Sequence, residues 1–347
     1  MLKPVMFEDK DVKLLRSPNY NYNFDKNNGY FAKWGRTKDD DPLYSPCGPE
    51  LIDIEITDSC YGPLGDGNVC NFCYKSNTPN GSYMSFETFR QVFNNLPKEC
   101  LTQIAFGVDS QCITNPDTFK IMQYCRDNGV IPNVTIANIS DNIADRLSEL
   151  CGAVAVSFYG YKDICYNSVK KLIDRGMKQV NIHNMICQET INQTYELFND
   201  YLTDSRLKYL NAIVLLSLKT KGRGKSHTPL TQNQFNDIVN YAENKKIPLG
   251  FDSCSVTKLN ETIQNWSNKK ELEQLIEPCE SGIFSFYINT YGKGFPCSFI
   301  EGEDEWKEGF DLTEPIDFLR DIWYGKKLET WRFNLLSINR SCPKFNI

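Results

Sequence analysis

Residues 51–57 alternate apolar and polar side chains, Ile52, Ile54 and Ile56 against Asp53, Glu55 and Thr57. A period of two places the isoleucines on one face of a β-strand. From residue 85 onward, strand-like and helix-like stretches take turns. Ser85 is a good N-cap with Glu87 in the first turn, which predicts a helix over 85–95. Residues 101–107 read as a strand, and 115–128, opened by Asn115-Pro116 and ended by Gly129, as a helix. Further strands are predicted over 134–139, 153–158, 179–185 and 212–218. Helices fall between and after them, over 141–150 behind Ser140, 162–175 before Gly176, 189–202 and 231–244. Six strand–helix units in succession imply parallel strands joined by right-handed crossovers. A doubly wound sheet and a barrel satisfy that alternation equally well.

The flanks break the rhythm. Residues 1–50 are aromatic and polar with dense Pro, Gly and Asn, which predicts a loop-rich extension containing at most one short hairpin. Tyr20, Tyr22, Tyr30, Phe31 and Trp34 would pin that extension onto the remaining chain, the alternative being stacking on a substrate. Beyond residue 250 the alternation stops, and a hairpin is expected about Tyr291-Gly292-Lys293-Gly294.

With 347 residues there is chain enough for one large domain or two ordinary ones. A 41% hydrophobic and 24% charged composition is that of a soluble globular protein. A formal charge of −6 argues against broad nucleic-acid binding. No apolar run reaches membrane-spanning length, and the N-terminus lacks a signal-peptide core, so a cytoplasmic setting is expected. In a reducing compartment 14 Cys suggest metal more than disulfides, while only His183 and His227 are present for imidazole sites.

The loop after the first strand carries Cys60, Cys70 and Cys73 in a C-x9-C-x2-C pattern. Three thiolates are one short of a closed zinc or iron–sulfur site, so a cubane held there keeps an open iron. Cys70-Asn71-Phe72-Cys73-Tyr74 resembles the second half of the radical SAM signature, C-x3-C-x-Φ-C. The first gap departs from that signature, with nine residues where three are usual; its three Gly and one Pro would let it loop out. A zinc knuckle and unrelated thiols are the competing readings.

The resemblance implies a partial (β/α)6 TIM-type barrel over residues 51–248. Before it stands an N-terminal extension over 1–50; after it, over 249–347, a small β-hairpin and helix cluster domain. It also implies a [4Fe–4S] cluster on Cys60, Cys70 and Cys73 whose free iron chelates S-adenosylmethionine (SAM). Sites in parallel barrels lie at the C-terminal strand ends. That rule selects Gly107, Val108 and Asp109, where the family has Gly-Gly-Glu and only the glycine is kept. It also selects Ser157 and Asn184, and Tyr74 joins them beside the last Cys. The loop 219–225, KTKGRGK, resembles a loop of peptide-modifying members; a solvated basic loop is the plain alternative. Cys254, Cys279, Cys297 and Cys342 resemble the SPASM/Twitch extension and would close a second, auxiliary [4Fe–4S] cluster, with zinc the rival. Cys47 is expected to be an ordinary thiol, and Cys100, Cys112, Cys125, Cys151, Cys165 and Cys187 small core residues.

The activity implied is reductive SAM cleavage to a 5′-deoxyadenosyl radical, followed by oxidation or crosslinking of a peptide or protein side chain. Flavodoxin or ferredoxin would supply the electron. Modification of a small molecule or nucleotide precursor, and a zinc-stabilised binding protein without catalysis, are the alternatives.

Overall fold

The computed structural model describes residues 4–345. Four short strands come first: β1 (Val5–Glu8), β2 (Val12–Arg16), β3 (Asn21–Asp25) and β4 (Phe31–Trp34), an antiparallel sheet in that order. The loop-rich reading of this region is therefore wrong. Its strands are four or five residues long and separated by Asn- and Gly-rich turns, so turn punctuation outweighed the period-two series Tyr20, Tyr22, Phe24. Those three side chains are buried, together with Leu15, against Ile131, Ile283 and Phe284. The aromatic residues thus pin the extension down, with Tyr30 the exposed exception.

The barrel begins with β5 (Leu51–Glu55) and α1 (Phe86–Asn95). It continues through β6 (Gln103–Gly107), α2 (Thr118–Asp127), β7 (Ile131–Ile136), α3 (Asp141–Leu150), β8 (Val154–Ser157) and α4 (Lys162–Asp174). The last units are β9 (Val180–Ile186), α5 (Ile191–Thr203), β10 (Ala212–Ser217) and α6 (Gln232–Lys245). Local chemistry sets the boundaries. The Ser85 and Ser140 side chains accept from the Thr88 and Ile143 amides, and Thr231 forms a reciprocal capping box with Gln234. Ile52, Ile54 and Ile56 are wholly buried in the same core as Phe89, Val92 and Phe93, each worth about 1.5–3 kcal/mol of apolar burial. The other face of β5, with Asp53 and Glu55, is thereby turned into the barrel.

A seventh parallel strand, β11 (Leu249–Phe251), pairs with β10 and carries the sheet past the expected boundary at 248. Three residues centred on a glycine are too few to show a period. The C-terminal hairpin is β12 (Ser285–Ile288) and β13 (Lys293–Phe295), followed by β14 (Phe310–Asp311). Rather than standing apart, β12 lies parallel beside β5. One sheet therefore runs β11-β10-β9-β8-β7-β6-β5-β12-β13-β14. The architecture is the partial TIM-type barrel that the resemblance implied. Among the described residues no helix is long and apolar enough to cross a membrane.

Two cysteines depart from expectation. Cys47 and Cys100 form a disulfide, with their Cα atoms 5.6 Å apart. Both are buried and 53 residues apart, a separation no spacing rule would pair. Closing a loop of that length removes about 4 kcal/mol of chain entropy from the unfolded state. Cys112, Cys125, Cys151, Cys165 and Cys187 are buried core residues, as read from the sequence.

Candidate active site

Cys60, Cys70 and Cys73 lie on the loop leaving the C-terminal end of β5. The nine residues between the first two fold back on themselves. The Gly67 amide donates to the Tyr61 carbonyl at 2.9 Å, and Gly62, at φ +77°, sits against the Asn68 carbonyl where a Cβ has no room. The Gln111 side-chain amide ties the excursion down through the Gly62 and Pro63 carbonyls, at 2.7 and 3.2 Å. Cys60 is thus returned beside its partners. Burial pushes the Cys70 thiol up to about 12, and the neighbouring Cys73 and Cys60 add to the rise. A thiol so raised is protonated at neutral pH, and a cationic centre that displaces its proton restores it as a ligand.

The basic loop after β10 is a clamp on this segment rather than a solvated surface loop. Arg223 donates from Nε to the Cys70 carbonyl (2.7 Å), from Nη2 to the Asn77 carbonyl (3.0 Å) and from its own amide to the Cys73 carbonyl (3.0 Å). A Cβ on Gly222 would collide with the Tyr74 and Cys73 carbonyls, and one on Gly224 with the Lys219 carbonyl. The two glycines therefore let this backbone lie directly against the Cys loop. Sequence reasoning left this loop undecided because the partner carbonyls are about 150 residues away.

Cys254 follows β11, Cys279 precedes β12 and Cys297 follows β13, while Cys342 comes from the chain's far end. Each of Cys254 and Cys297 lies within electrostatic reach of Cys279 and Cys342, and burial pushes both thiols up, Cys254 to about 12. Backbone amides point at sulfur in both groups: Gly62 N to Cys60 (3.4 Å), Phe299 N to Cys297 (3.4 Å) and Phe345 N to Cys342 (3.3 Å). Such N–H···S contacts favour thiolate ligands. Among the described residues no three metal-ligating side chains converge as a single ion requires. A zinc ion, at a Zn–S bond of about 2.3 Å, would draw its sulfurs to about 3.8 Å from one another. A cubane takes each thiolate on a separate iron, and the all-sulfur donor sets suit it.

The two Cys groups are joined by a polar and aromatic seam that the sequence did not announce. Tyr74 packs its ring 4.4 Å from Phe299 and donates to the Ser298 hydroxyl at 3.2 Å, next to Cys297. Lys75 is 3.1 Å from Glu55, 2.8 Å from the Tyr287 hydroxyl, and paired with Glu301. Lys219 is buried against Asp252 and the Phe299 ring. The available signal was the charged face of β5, since in a barrel strand that face meets the lumen rather than bulk water.

The remaining candidates divide. Gly107 faces Glu55 across the strand pair, and its carbonyl accepts from the Ile56 amide at 2.9 Å. Val108 packs partly into the core. Asp109 is buried and organises its own loop, accepting from the Gln111, Ile113 and Thr114 amides and the Thr114 hydroxyl. Ser157 ends β8 beside His183, whose imidazole burial lowers to about 4. Asn184 is buried on the helix side of β9, donating to Thr194 of α5 at 2.9 Å, so its side chain is turned away from the lumen. On β9 the lumen-facing neighbours are His183 and Met185, one residue out of phase with the earlier choice. A cavity of about 520 Å³, lined by Tyr30, Gln103, Asn133 and Gln179 among others, lies at the N-terminal strand ends, away from both Cys groups.

The fold is shared with solved structures of SuiB from Streptococcus suis. SuiB bound to its precursor peptide SuiA matches with a TM-score of 0.69 at 12% identity, covering 94% of this chain and 90% of that one. SuiB bound to S-adenosylmethionine matches with a TM-score of 0.64 at 12% identity over the same shares. No family model matches the chain, and no curated protein does. At that identity the likeness is one of fold, and it agrees with the partial barrel.

Proposed function

We propose that this protein is a radical SAM enzyme acting on a peptide or protein side chain. The observation that supports the reading is that Cys60, Cys70 and Cys73 share the loop at the C-terminal end of β5, with Cys60 and Cys73 in electrostatic reach of Cys70, in a barrel of the SuiB fold. Cys60, Cys70 and Cys73 would hold a [4Fe–4S] cluster, and Cys254, Cys279, Cys297 and Cys342 a second, auxiliary one. When bound, the first cluster and SAM supply a 5′-deoxyadenosyl radical able to take a hydrogen atom from the substrate.

The chain's own residues do the rest. Arg223 fixes the Cys70 and Cys73 carbonyls, so the backbone that carries these thiols is held before any ligand arrives. Lys75 pairs with both Glu55 and Glu301 where the loop meets β12, which ties that junction together. Ser157 and the backbone at Gly107 and Val108 would orient SAM. The precursor peptide held by SuiB supports a peptide substrate here. Flavodoxin or ferredoxin in the cytoplasm would supply the electron.

The test is anaerobic reconstitution followed by reduction in the presence of SAM. 5′-Deoxyadenosine and methionine are the expected products, and a colourless protein that binds zinc and leaves SAM intact would refute the assignment.

A further inference from the structure

Cys342 lies beyond the C-terminal helix Lys326–Ser337, outside any strand or helix, yet its segment is fastened on both sides. Before it, Arg340 donates from Nε to the Cys279 carbonyl at 2.9 Å and from Nη2 to the Pro278 carbonyl at 2.8 Å. The Arg340 carbonyl accepts from the Cys279 amide at 3.3 Å, and its guanidinium pairs with Glu277. After it, the Phe345 ring meets Phe299, just past Cys297, with centroids 6.4 Å apart, and Lys344 pairs with Asp304. The tail is thus drawn to the Cys279 and Cys297 segments at once.

The grip of Arg340 is braced from elsewhere in the chain. Its side chain is only 16% exposed. Lys33 of β4 takes the other oxygen of Glu277 at 3.1 Å and reaches Glu280 at 3.4 Å and Glu50 at 3.3 Å. Carboxylates on both sides of Cys279 are therefore fixed from the N-terminal sheet. Both cations sit over one ring, Lys33 at 3.7 Å and Arg340 at 5.4 Å from the Phe284 centroid. The backbone adds a second sign of constraint. Asn339 and Arg340 are consecutive left-handed residues, with φ of +53° and +58°, a conformation that non-glycine residues keep only where their surroundings impose it. That turn follows the helix and leaves the guanidinium on residues 277–279. Two carbonyls and a carboxylate there suit a planar fork of donors and not an ammonium.

We infer that Arg340 is a positioning residue for the second Cys group, whose fork on residues 277–279 brings Cys342 to Cys279 and completes that donor set. The inference rests on the auxiliary-cluster reading above, and through Lys33 it gives the N-terminal sheet a part in the same site.

The experiment is a chelator challenge of the anaerobically reconstituted protein with bathophenanthroline disulfonate. Aliquots are reduced and read by electron paramagnetic resonance with SAM present, so that the SAM-responsive and SAM-insensitive signals are timed separately. Arg340→Ala is expected to lose the SAM-insensitive signal about tenfold or more faster than wild type, because its charged hydrogen bonds are gone. The SAM-responsive signal should decay at the wild-type rate, a split that general loosening of the fold would not produce. Arg340→Lys should fall between the two, since an ammonium cannot reproduce the fork. Decay of the SAM-insensitive signal at the wild-type rate in Arg340→Ala overturns the inference, and so does equal acceleration of both signals. Where Arg340→Ala does not fold, Arg340→Lys decides alone by the same selective acceleration or its absence. A wild type with a single cluster signal overturns the auxiliary-cluster reading and takes the inference with it. Two signals that ignore Arg340 keep that reading and overturn the inference alone.

Discussion

Replacing Cys60, Cys70 and Cys73 together by alanine is expected to halve the bound iron and abolish 5′-deoxyadenosine formation. Two cubanes amount to about eight iron per chain, and the variant should keep about four. The residual iron would sit on Cys254, Cys279, Cys297 and Cys342, which come from four separate places in the C-terminal fold and share no element with the first loop. Four thiolates close a cubane and leave no iron to chelate SAM, so the surviving cluster has no route to cleavage. Folding is not in question to the same degree for the first group. Its three sulfurs are half-buried on a loop already tied by Arg223 and Gln111. Iron and sulfide analysis with product quantification decides the matter, and a triple variant that still forms 5′-deoxyadenosine contradicts the site.

The second large effect belongs to Arg223. Arg223→Ala deletes two guanidinium hydrogen bonds, to the Cys70 and Asn77 carbonyls, and leaves only the backbone contact to Cys73. Hydrogen bonds to charged groups contribute about 1.5–3 kcal/mol each, so the loop should hold its cluster at least about tenfold less tightly. Arg223→Lys should be intermediate, because an ammonium cannot reproduce the planar fork that reaches both carbonyls. The measurement is the rate at which a chelator bleaches the cluster absorbance. Bleaching at the wild-type rate in Arg223→Ala would reduce the basic loop to a passive surface feature.

Most of the barrel was legible because its elements are long enough to show a period and carry their own caps. Ser85, Ser140 and Thr231 cap the helices that the sequence assigned to them. What escaped was short or non-local. β11 is three residues, and in β1–β4 the Asn- and Gly-rich turns outweighed the period-two series Tyr20, Tyr22, Phe24. The Cys47–Cys100 pair depends on the fold bringing together residues with no spacing signature. The donor sets were visible as residue types at suggestive intervals. The Arg223 clamp depends on carbonyls about 150 residues away, and the Lys75 junction on which face of β5 looks inward. For Asn184 that phase was misjudged by one position, which was enough to send the side chain to the helix layer.

The most direct measurement is the electron paramagnetic resonance spectrum of the reduced, reconstituted wild-type protein with and without SAM. Two cluster signals are expected, of which one changes when SAM is added and the other does not. A spectrum unaltered by SAM would mean that Cys60, Cys70 and Cys73 offer no open iron, and the proposed chemistry would fall with it.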